Sequence, residues 1–479
     1  MQKNTKIVAT IGPSSESYAI IKSIIKAGVN VARLNFSHGT YANHAELIAR
    51  IRRAERELGT PVGIMQDIQG PKIRLGIMPD AGVIIKTGSE AVVNTSITSY
   101  AGADLPLYFP GLEKFIKPGH RLLIDDGHAE LKVKNVSGRR IFCRVVEGYN
   151  LKSHKGINFP DSHLEIPIMN EKDRKDLKFG IKAGVDLVAL SFVQSGDDIR
   201  RTRALITKYK KELHPKDDAP IFIVAKIERN EAVKNIDEII QEADGVMVAR
   251  GDLAMETNMS EMPIIQKKIV EKANAVAKPV IVATQMLDSM QYGRRPTRAE
   301  ITDVANAVID HADALMLSNE TASGKFPVES VKTMSRIIET TEKTKYDDVD
   351  PFKEVHPHKS ISKAIAGLSG LVAMQVGAKA IVVSSSTGTT GRLISRVRPQ
   401  LPVYVGTRFV AVGRQLCLSW GLNPFLMAPK KTVEELVKIF LDYVKKSKLV
   451  KKGDRIILIT GEPVGKAGTT NMLEVKEVK

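Results

Sequence analysis

Short apolar runs and stretches with a helical pattern alternate along most of the chain. Three runs come first, at 6–12, 29–36 and 61–67, and helical patterns at 16–27 and 41–57 lie between them. Five more runs, each followed by a helical pattern, lie at 186–192, 221–227, 244–250, 279–286 and 312–318. Apolar strands that alternate with helices indicate a parallel sheet covered by helices, and a count of eight favours closure. The pattern therefore predicts an α/β fold built on a (β/α)8 TIM barrel.

Two other stretches depart from this alternation. Residues 73–160 contain short alternating segments between Gly, Asn and Asp turns, which predicts an inserted all-β domain after strand 3. An insertion at that end of a barrel overhangs the mouth, so we expect a lid. After a polar, proline-containing linker at 343–360, apolar runs at 378–386, 401–407 and 454–460 predict a C-terminal α/β domain.

The predicted domain limits follow from these patterns. A chain of 479 residues is long for one core, and its length agrees with three domains. We place the first part of the barrel at 1–72, the lid at 73–160, the second part of the barrel at 161–344 and the C-terminal α/β regulatory domain at 345–479.

The charge balance narrows the classes of partner. Lys and Arg number 71 against 54 Asp and Glu, a net charge of +17, which suits nucleic acid or an enzyme with polyanionic ligands. Aromatic residues make up only 5% and do not alternate with basic ones, so we expect no nucleic-acid partner. No apolar run reaches the roughly 20 residues of a membrane span, and the start MQKNTK lacks the pattern of a signal peptide. We therefore expect no membrane association and a cytoplasmic location.

The fifth apolar run, IFIVAKIERN at 221–230, ends abruptly in charged residues. Alternate residues of a strand face the same way, so Lys226 and Glu228 should project together, after Phe222 and Val224 on the same face. From this segment alone, an exposed ion pair at the end of a strand is equally compatible.

Polar residues also end most of the other predicted barrel strands. At the end of strand 2 they are Arg33, Asn35 and Ser37, followed by His38; Asp67 closes strand 3, Arg250, Gly251 and Asp252 close strand 6, Thr284 closes strand 7, and Ser318 closes strand 8. A barrel gathers such strand ends around one mouth. Glu228 and Asp252, on adjacent strands, could then coordinate Mg²⁺ or Mn²⁺. Gly251 would let a carboxylate or phosphate approach the N–H groups of the next helix.

The C-terminal domain carries the segment SSSTGTTGR at 384–392, between a predicted strand and a predicted helix. Hydroxyl groups and glycine N–H groups at the start of a helix form a phosphate cradle. A Ser/Thr turn that only caps the helix is an equally open interpretation.

Eight segments surround these strand ends. In chain order they read KIVATIGPSS, VARLNFSHG, QDIQGPKIR, AKIERNEAV, MVARGDLA, ATQMLDSM, RPTRAEITDVANAV and MLSNETASGKFP. In this order and spacing they resemble the pyruvate kinase family, and the resemblance covers essentially the whole chain. It implies the glycolytic transfer of a phosphoryl group from phosphoenolpyruvate to ADP, which gives pyruvate and ATP, in a homotetramer.

The resemblance also implies roles for residues of the barrel mouth. Lys226 would contact the phosphoryl group and stabilise the enolate, and Arg33 would contact the phosphoryl group. Thr284 would bind substrate or support the proton relay to the enolate. Gly251 and Asp252 would receive the substrate carboxylate on backbone N–H groups, and Asp252 would hold the divalent metal together with Glu228.

The resemblance further implies sites for the nucleotide and for K⁺. Asn35, His38, Arg74 and Lys155 are candidates for the nucleotide side, although a structural role for His38 is equally open. The monovalent site corresponds to Asn35, Ser37, Asp67 and the carbonyl group of Ile68. Lys72 stands where potassium-dependent members carry an acidic residue. Its ammonium group could replace the cation, so we expect K⁺-independent activity.

The family places its allosteric site on the segment at 384–392. The resemblance therefore implies a phosphorylated effector bound by Ser384, Ser385, Ser386, Thr387, Gly388 and Thr389, with the loop 461–471 as a wall. Two smaller departures are Ala254 and Asn319, where the family usually has glycine.

Two other functions fit parts of the sequence. A Schiff-base aldolase would use Lys226 as a nucleophile, which requires a lowered lysine pKa in an apolar pocket. A regulatory binder without catalysis would rest on the +17 charge alone.

Overall fold

The computed structural model of the protein describes residues 3–164, 166–215, 217, 219–349, 360–446, 450–464 and 468–479. Residues 350–359 of the predicted linker lie outside the described residues, as do residues 465–467 of the loop 461–471.

The chain begins with three parallel strands and two helices. They are β1 (Lys6–Thr10), α1 (Tyr18–Lys26), β2 (Val31–Asn35), α2 (Tyr41–Leu58) and β3 (Gly63–Ile68). Hydroxyl groups of Ser17 and Thr40 accept backbone N–H bonds at the starts of the two helices. Gly59, with φ of 62°, adopts the left-handed conformation that ends α2.

An all-β domain follows β3, as predicted. Its strands are β4 (Val83–Ile85), β5 (Glu90–Asn94), β6 (Asp104–Pro106), β7 (Arg121–Ile124), β8 (Ala129–Ser137), β9 (Arg140–Glu147), β10 (Tyr149–Leu151) and β11 (Ile157–Asn158). Six of them form one sheet in the order β11-β7-β8-β9-β5-β6, and β10 pairs with β4. Alternate residues of β9 are buried, which gives the domain a core of its own.

The second part of the barrel completes the alternation. Its elements are α3 (Glu171–Ala183), β12 (Leu187–Leu190), α4 (Gly196–Leu213), β13 (Phe222–Ile227), α5 (Asn230–Lys234), α6 (Ile236–Glu242), β14 (Gly245–Ala249), α7 (Arg250–Glu256), α8 (Met262–Ala275), β15 (Val280–Ala283), α9 (Arg298–Ile309), β16 (Ala314–Leu317), α10 (Asn319–Ala322) and α11 (Pro327–Thr341). The eight barrel strands close in the order β1-β16-β15-β14-β13-β12-β3-β2, and every pair is parallel. The predicted (β/α)8 barrel is therefore confirmed.

The C-terminal α/β domain has five strands where the sequence predicted three. It consists of α12 (Ile361–Gln375), β17 (Ile381–Ser384), α13 (Thr389–Arg396), β18 (Val403–Thr407), α14 (Val410–Leu416), β19 (Leu422–Leu426), α15 (Val433–Lys446), β20 (Arg455–Gly461) and β21 (Thr470–Glu477). The sheet order is β19-β18-β17-β20-β21, and β21 runs antiparallel to β20. The two strands that the sequence pattern missed are the two edge strands. The domain limits at residues 72, 160 and 344 stay predictions.

The C-terminal domain closes the floor of the barrel. Cys417 and Leu418, just after α14, pack in one buried cluster with side chains of the barrel interior, among them Phe222 and Val224. Arg414 of α14 pairs with Glu55 of α2 at 2.6 Å. The contact between the two domains is therefore both apolar and ionic.

Both cysteines, Cys143 and Cys417, are buried and free. Burial raises the pKa of each thiol to about 12, so neither Cys143 nor Cys417 is a reactive thiolate near neutral pH. None of the helices that the structure describes has the length and apolar character needed to cross a bilayer.

Candidate active site

Lys226 and Glu228 project together at the end of β13, as the alternation predicted. The ammonium group of Lys226 lies 2.7 Å from Glu228 Oε1 and 3.4 Å from Asp67 Oδ1, and it donates a 2.7 Å hydrogen bond to Ser191 Oγ. All four side chains are buried. The pair is therefore not an exposed ion pair at the end of a strand.

Arg33 joins this cluster from β2. Its Nε donates to Asp67 Oδ2 at 2.7 Å, and its guanidinium group also donates to Thr10 Oγ1 at 2.9 Å. Each carboxylate oxygen of Asp67 therefore contacts one cation, Lys226 at Oδ1 and Arg33 at Oδ2. The parallel register sets Asn35 of β2 opposite Asp67 of β3, which brings the ends of these strands together.

The cluster shifts the pKa values of its members. Burial disfavours the ammonium form of Lys226, but Asp67 and Glu228 outweigh burial and raise its pKa. Burial likewise opposes ionisation of Asp67, yet Lys226 and Arg33 lower the pKa of this carboxyl group. The pKa of Glu228 is raised by burial and, in addition, by the nearby charge of Asp252. Lys226 is therefore a permanent cation near neutral pH.

Glu228 and Asp252 are the two candidate ligands for a divalent cation. They lie after adjacent parallel strands, β13 and β14, and the repulsion between their charges contributes to the raised pKa of Glu228. Ammonium groups already neutralise both carboxylates, Lys226 at Glu228 and Lys72 at Asp252 with an Nζ to Oδ1 distance of 3.4 Å. Carboxylate oxygens are hard donors of the kind that Mg²⁺ and Mn²⁺ prefer. Among the described residues, no group of three or more His, Cys, Asp or Glu side chains forms a metal site on its own.

Thr284 and Gly251 meet at the neighbouring strand ends. The structure places Arg250, Gly251 and Asp252 in α7, which begins directly after β14 ends at Ala249, so they start a helix and do not close a strand as predicted. The N–H group of Gly251 donates to Thr284 Oγ1 at 2.8 Å. Thr284 has a left-handed backbone with φ of 71°, a conformation that is costly for a β-branched residue and that occurs mainly at functional sites.

Lys72 occupies a different position from the one predicted for it. We expected its ammonium group beside Asn35, Ser37, Asp67 and the carbonyl group of Ile68. Its ion pair is instead with Asp252, and the cations that pair with Asp67 are Arg33 and Lys226. The carbonyl group of Ile68 accepts a hydrogen bond from Ser191 Oγ at 2.6 Å, and Asn35 Oδ1 accepts the N–H group of Ser37 at 3.1 Å.

The nucleotide candidates lie in two places. Arg74 and Lys155 flank the joint between the barrel and the inserted domain, where Arg74 donates to the carbonyl group of His154 at 3.0 Å. The ammonium group of Lys155 pairs with Asp125 at 2.9 Å. His38 is exposed after β2, and its carbonyl group contacts the ring of the buried His44.

The segment at 384–392 forms a loop and a helix start, as predicted. A cavity of about 130 Å³ is lined there by Ser384, Ser385, Ser386, Thr387 and Thr389, and across it by Gly468, Thr469 and Thr470. Gly388, with φ of 77°, is the N-cap of α13. Arg392 of α13 donates to the carbonyl group of Thr387 at 3.1 Å and lies over the ring of Phe222, 5.5 Å from its centre.

The sequence analysis missed Ser191 and the backbone N–H group of Phe192. Ser191 follows β12, and Phe192 donates to Glu228 Oε2 at 2.7 Å. The run DLVALSF at 186–192 has a serine as its last polar residue, one position before its end, so the rule that selected the other strand ends would have selected this one. Ala254 and Asn319 lie in helical backbone, in α7 and α10, where a Cβ atom causes no strain.

The chain has a (β/α)8 barrel with an inserted all-β domain and a C-terminal α/β domain, and the charged cluster lies at the strand ends where enzymes of this class have their active sites. The sequence model of the pyruvate kinase barrel domain matches residues 2–331, and that of the pyruvate kinase alpha/beta domain matches residues 363–476. The chain belongs to the pyruvate kinase family and is therefore a kinase, that is, a phosphotransferase.

Individual relatives match over their full length or most of it. Pyruvate kinase 2 of Synechocystis sp. is 41% identical over 483 aligned positions, which cover 100% of this chain and 80% of that protein. The pyruvate kinase of Clostridium acetobutylicum is 39% identical and is covered completely, as is this chain. A crystal structure of a pyruvate kinase from Cryptosporidium parvum, 34% identical, superposes with a TM-score of 0.93 over 100% of this chain and 97% of that one.

Proposed function

We propose that the protein transfers the phosphoryl group of phosphoenolpyruvate to ADP and so produces pyruvate and ATP in glycolysis. The observation that carries the proposal is the buried ammonium group of Lys226 among Glu228, Asp67 and Ser191, with Arg33 beside it. Transfer requires that the negative charge of donor and acceptor be balanced and that the reacting oxygens be held in line. A fixed lysine and a fixed arginine at one barrel mouth meet the first requirement.

Lys226 and Arg33 act on the phosphoryl group in this mechanism. The P–O bond to the enolpyruvate oxygen breaks, and a bond forms between phosphorus and the terminal oxygen of ADP. Lys226 then faces an enolate oxygen, whose negative charge an adjacent ammonium group stabilises. The enolate carbon takes up a proton to give pyruvate, and we assign to the hydroxyl group of Thr284 the binding of substrate or the relay of this proton.

Glu228 and Asp252 would hold the divalent metal. A bound Mg²⁺ or Mn²⁺ supplies positive charge to substrate oxygens without proton exchange. The N–H groups at the start of α7, at Gly251 and Asp252, receive the substrate carboxylate, which the positive end of a helix favours. Thr284 Oγ1 accepts the N–H bond of Gly251, and this bond would have to open for the carboxylate to take that N–H group. Asn35, His38, Arg74 and Lys155 bind the nucleotide.

The raised pKa of Lys226 argues against the Schiff-base alternative. A lysine nucleophile must lose its proton near neutral pH, whereas Asp67 and Glu228 hold Lys226 in the ammonium form. No described feature favours a second enzymatic activity at this site.

Activity without K⁺ is a further part of the proposal. Three lysine and arginine side chains already neutralise the carboxylates of the site: Lys226 and Arg33 at Asp67, and Lys72 at Asp252. A monovalent cation at Asn35, Ser37, Asp67 and the Ile68 carbonyl group would therefore meet Lys226 and Arg33 at the Asp67 carboxylate. The proposal of K⁺-independent activity is supported by this local balance of charge, to which Lys72 contributes through its ion pair with Asp252.

We also propose that a phosphorylated effector binds in the cavity of the C-terminal domain and regulates the activity. Hydroxyl groups line this cavity beside the N-terminus of α13, an arrangement suited to phosphate oxygens. The cytoplasmic location and the homotetramer rest on family membership, and we propose no nucleic-acid or membrane partner.

Replacement of Lys226 tests the proposed function. We expect Lys226→Met to abolish phosphoryl transfer from phosphoenolpyruvate to ADP, since methionine has similar length but no charge. A coupled assay of pyruvate formation measures the loss, and circular dichroism checks that the fold persists. Exposed Lys208 of α4 provides the control, because Lys208→Met should leave turnover unchanged. Near-normal turnover of Lys226→Met would overturn the assignment.

A further inference from the structure

Ser191 is a buried polar residue on a barrel strand to which no site residue had been assigned. It directly follows β12, between β3 and β13 in the barrel, and its exposed fraction is 4%. Its Oγ accepts a hydrogen bond from the Lys226 ammonium group at 2.7 Å and donates one to the carbonyl group of Ile68 at 2.6 Å. One hydroxyl group therefore links the ends of three adjacent strands.

The backbone around Ser191 is shaped for this contact. Phe192 has a left-handed conformation with φ of 58°, and its N–H group donates to Glu228 Oε2 at 2.7 Å. Gly70, in the loop after β3, packs so closely that a Cβ atom there would lie 2.9 Å from Phe192 Cδ2 and 3.2 Å from Ser191 Cβ. A left-handed non-glycine residue at a site of this kind is strain that the surrounding structure must hold in place.

The direction of the serine hydroxyl group fixes the direction of the lysine. A hydroxyl group has one proton, and the Ile68 carbonyl group takes it, so a lone pair of Oγ remains for Lys226. The ammonium group of Lys226 has three N–H bonds and three acceptors, namely Ser191, Glu228 and Asp67. Its long side chain would otherwise sample several rotamers.

The acceptor at Ser191 also differs in charge from the other two. Glu228 and Asp67 hold Lys226 by charge and so reduce the positive field that it can present to a substrate. A neutral hydroxyl group holds the ammonium group without neutralising it. Ser191 therefore orients Lys226 at a smaller cost in available positive charge than a third carboxylate would impose.

We propose that Ser191 is a positioning residue for Lys226, and that it holds the ammonium group in line with the reacting phosphoryl group through the relay to the Ile68 carbonyl group. The inference rests on the proposed role of Lys226. It concerns the rate of the chemical step and leaves substrate binding to other groups. A residue with a purely structural role would change stability and leave turnover alone.

The test compares two replacements of Ser191. Ser191→Ala removes the hydroxyl group, and Ser191→Cys keeps most of the volume but offers a weak acceptor. We expect kcat to fall about 10- to 100-fold in both, the effect of one hydrogen bond to a charged group, with KM for phosphoenolpyruvate and ADP within about 2-fold. Ser195→Ala is the control: Ser195 caps α4 on the same segment, so this change should lower the melting temperature without lowering kcat.

A double-mutant cycle separates positioning from a general disturbance. If Ser191 acts through Lys226, the kcat losses of Ser191→Ala and of Lys226→Arg, which keeps the charge but moves the donor groups, should be less than additive in the double variant. An unchanged kcat in folded Ser191→Ala and Ser191→Cys, or fully additive losses in the double variant with Lys226→Arg, would refute the positioning role. A wild-type protein without transfer from phosphoenolpyruvate to ADP would instead refute the proposed function.

Discussion

The charges of the candidate site balance one another residue by residue. Three cations face three carboxylates: Lys226 and Arg33 with Asp67 and Glu228, and Lys72 with Asp252. Each pair is at least partly shielded from water, so its attraction is stronger than that of an exposed ion pair. Removal of one member would leave a neighbour uncompensated, and a mobile ion could then take its place.

Reversal of the charge at Lys72 should make the activity depend on K⁺. Lys72→Glu would remove the ammonium group that pairs with Asp252 and add a second carboxylate on that side of the site, where repulsion favours a bound cation. We expect activity of this variant in potassium-free and sodium-free buffer to fall at least about 10-fold, an energy of about 1.4 kcal/mol, and to recover with added KCl.

The wild-type protein should be fully active in the same potassium-free buffer. Lys72→Met serves as the matched control, since it removes the cation without adding a carboxylate, and tetramethylammonium chloride keeps the ionic strength constant. A wild-type protein that loses activity without K⁺ would contradict the proposal.

Two elements connect the C-terminal cavity with the barrel. The start of α13 lines the cavity, and Arg392 of this helix contacts both the Thr387 carbonyl group and the ring of Phe222. Phe222 begins β13, the strand that ends near Lys226. The side chain of Arg392 thus connects the loop at the cavity with the strand that ends near Lys226.

A negative charge in the C-terminal cavity should block the effector. Thr389→Glu places a carboxylate among the hydroxyl groups that we assign to phosphate, and two like charges repel. Activation by a panel of sugar monophosphates, sugar bisphosphates and AMP should disappear while the unactivated rate persists. The exposed Thr207→Glu on α4 is the control and should keep the wild-type response. Activation curves of Thr389→Glu that match the wild type would rule out this cavity.

The elements differ in how well the sequence predicted them. The eight barrel strands are buried on both faces, so each is a continuous apolar run that a pattern analysis detects. The missed strands β19 and β21 are edge strands; β19 contains Pro424, and β21 alternates with charged residues. An edge strand pairs with a neighbour on one side only, so it need not be a continuous apolar run. Its own sequence therefore does not mark it as a strand.

The candidate site was predictable to the level of side chains at strand ends. The alternation of side chains along a strand predicted that Lys226 and Glu228 lie together. The order of the strands predicted that Asp252 lies beside them. The partner of Lys72 was not predictable, because the direction of a long side chain depends on the lid and on the loop after β3. The contact of Ser191 required knowledge of the left-handed backbone at Phe192, which no pattern of apolar residues reveals.

At the scale of the whole molecule, Lys3 is a buried lysine close to the joint between the barrel and the C-terminal domain. The ammonium group of Lys3 donates to Asn30 Oδ1 at 2.6 Å, and it lies at a cavity of about 240 Å³ between the barrel and the C-terminal domain. Burial, and secondarily the charge of Lys6, lowers the pKa of Lys3 to about 7, while Glu342 and Glu339 oppose the shift. Folding therefore releases a proton above pH 7.

Stability should consequently rise with pH because of Lys3. Between pH 7 and about 10.5 the unfolded chain binds the Lys3 proton and the folded chain does not, so the melting temperature increases across this window. Below pH 7 both states are protonated and the dependence vanishes. Calorimetry of Lys3→Met from pH 6 to 10 should show a smaller increase than the wild type.

Lys22 provides the control for this measurement. It is paired with Glu57, and this hydrogen bond raises its pKa, so Lys22→Met should not reduce the increase. Identical pH dependence in wild type and Lys3→Met would contradict the burial argument.

The floor of the barrel has a consequence for synthesis of the protein. Cys417 and Leu418 cover the barrel interior from below, yet they follow the last barrel strand, which ends at Leu317, by about 100 residues. While the chain is on the ribosome, all eight strands emerge before the side chains that seal them. The nascent barrel thus exposes an apolar opening for the time needed to translate that interval, on the order of 5–20 s in total at 5–20 residues per second. During this interval a chaperone, or the aggregation of two nascent chains, competes with the C-terminal domain for the opening.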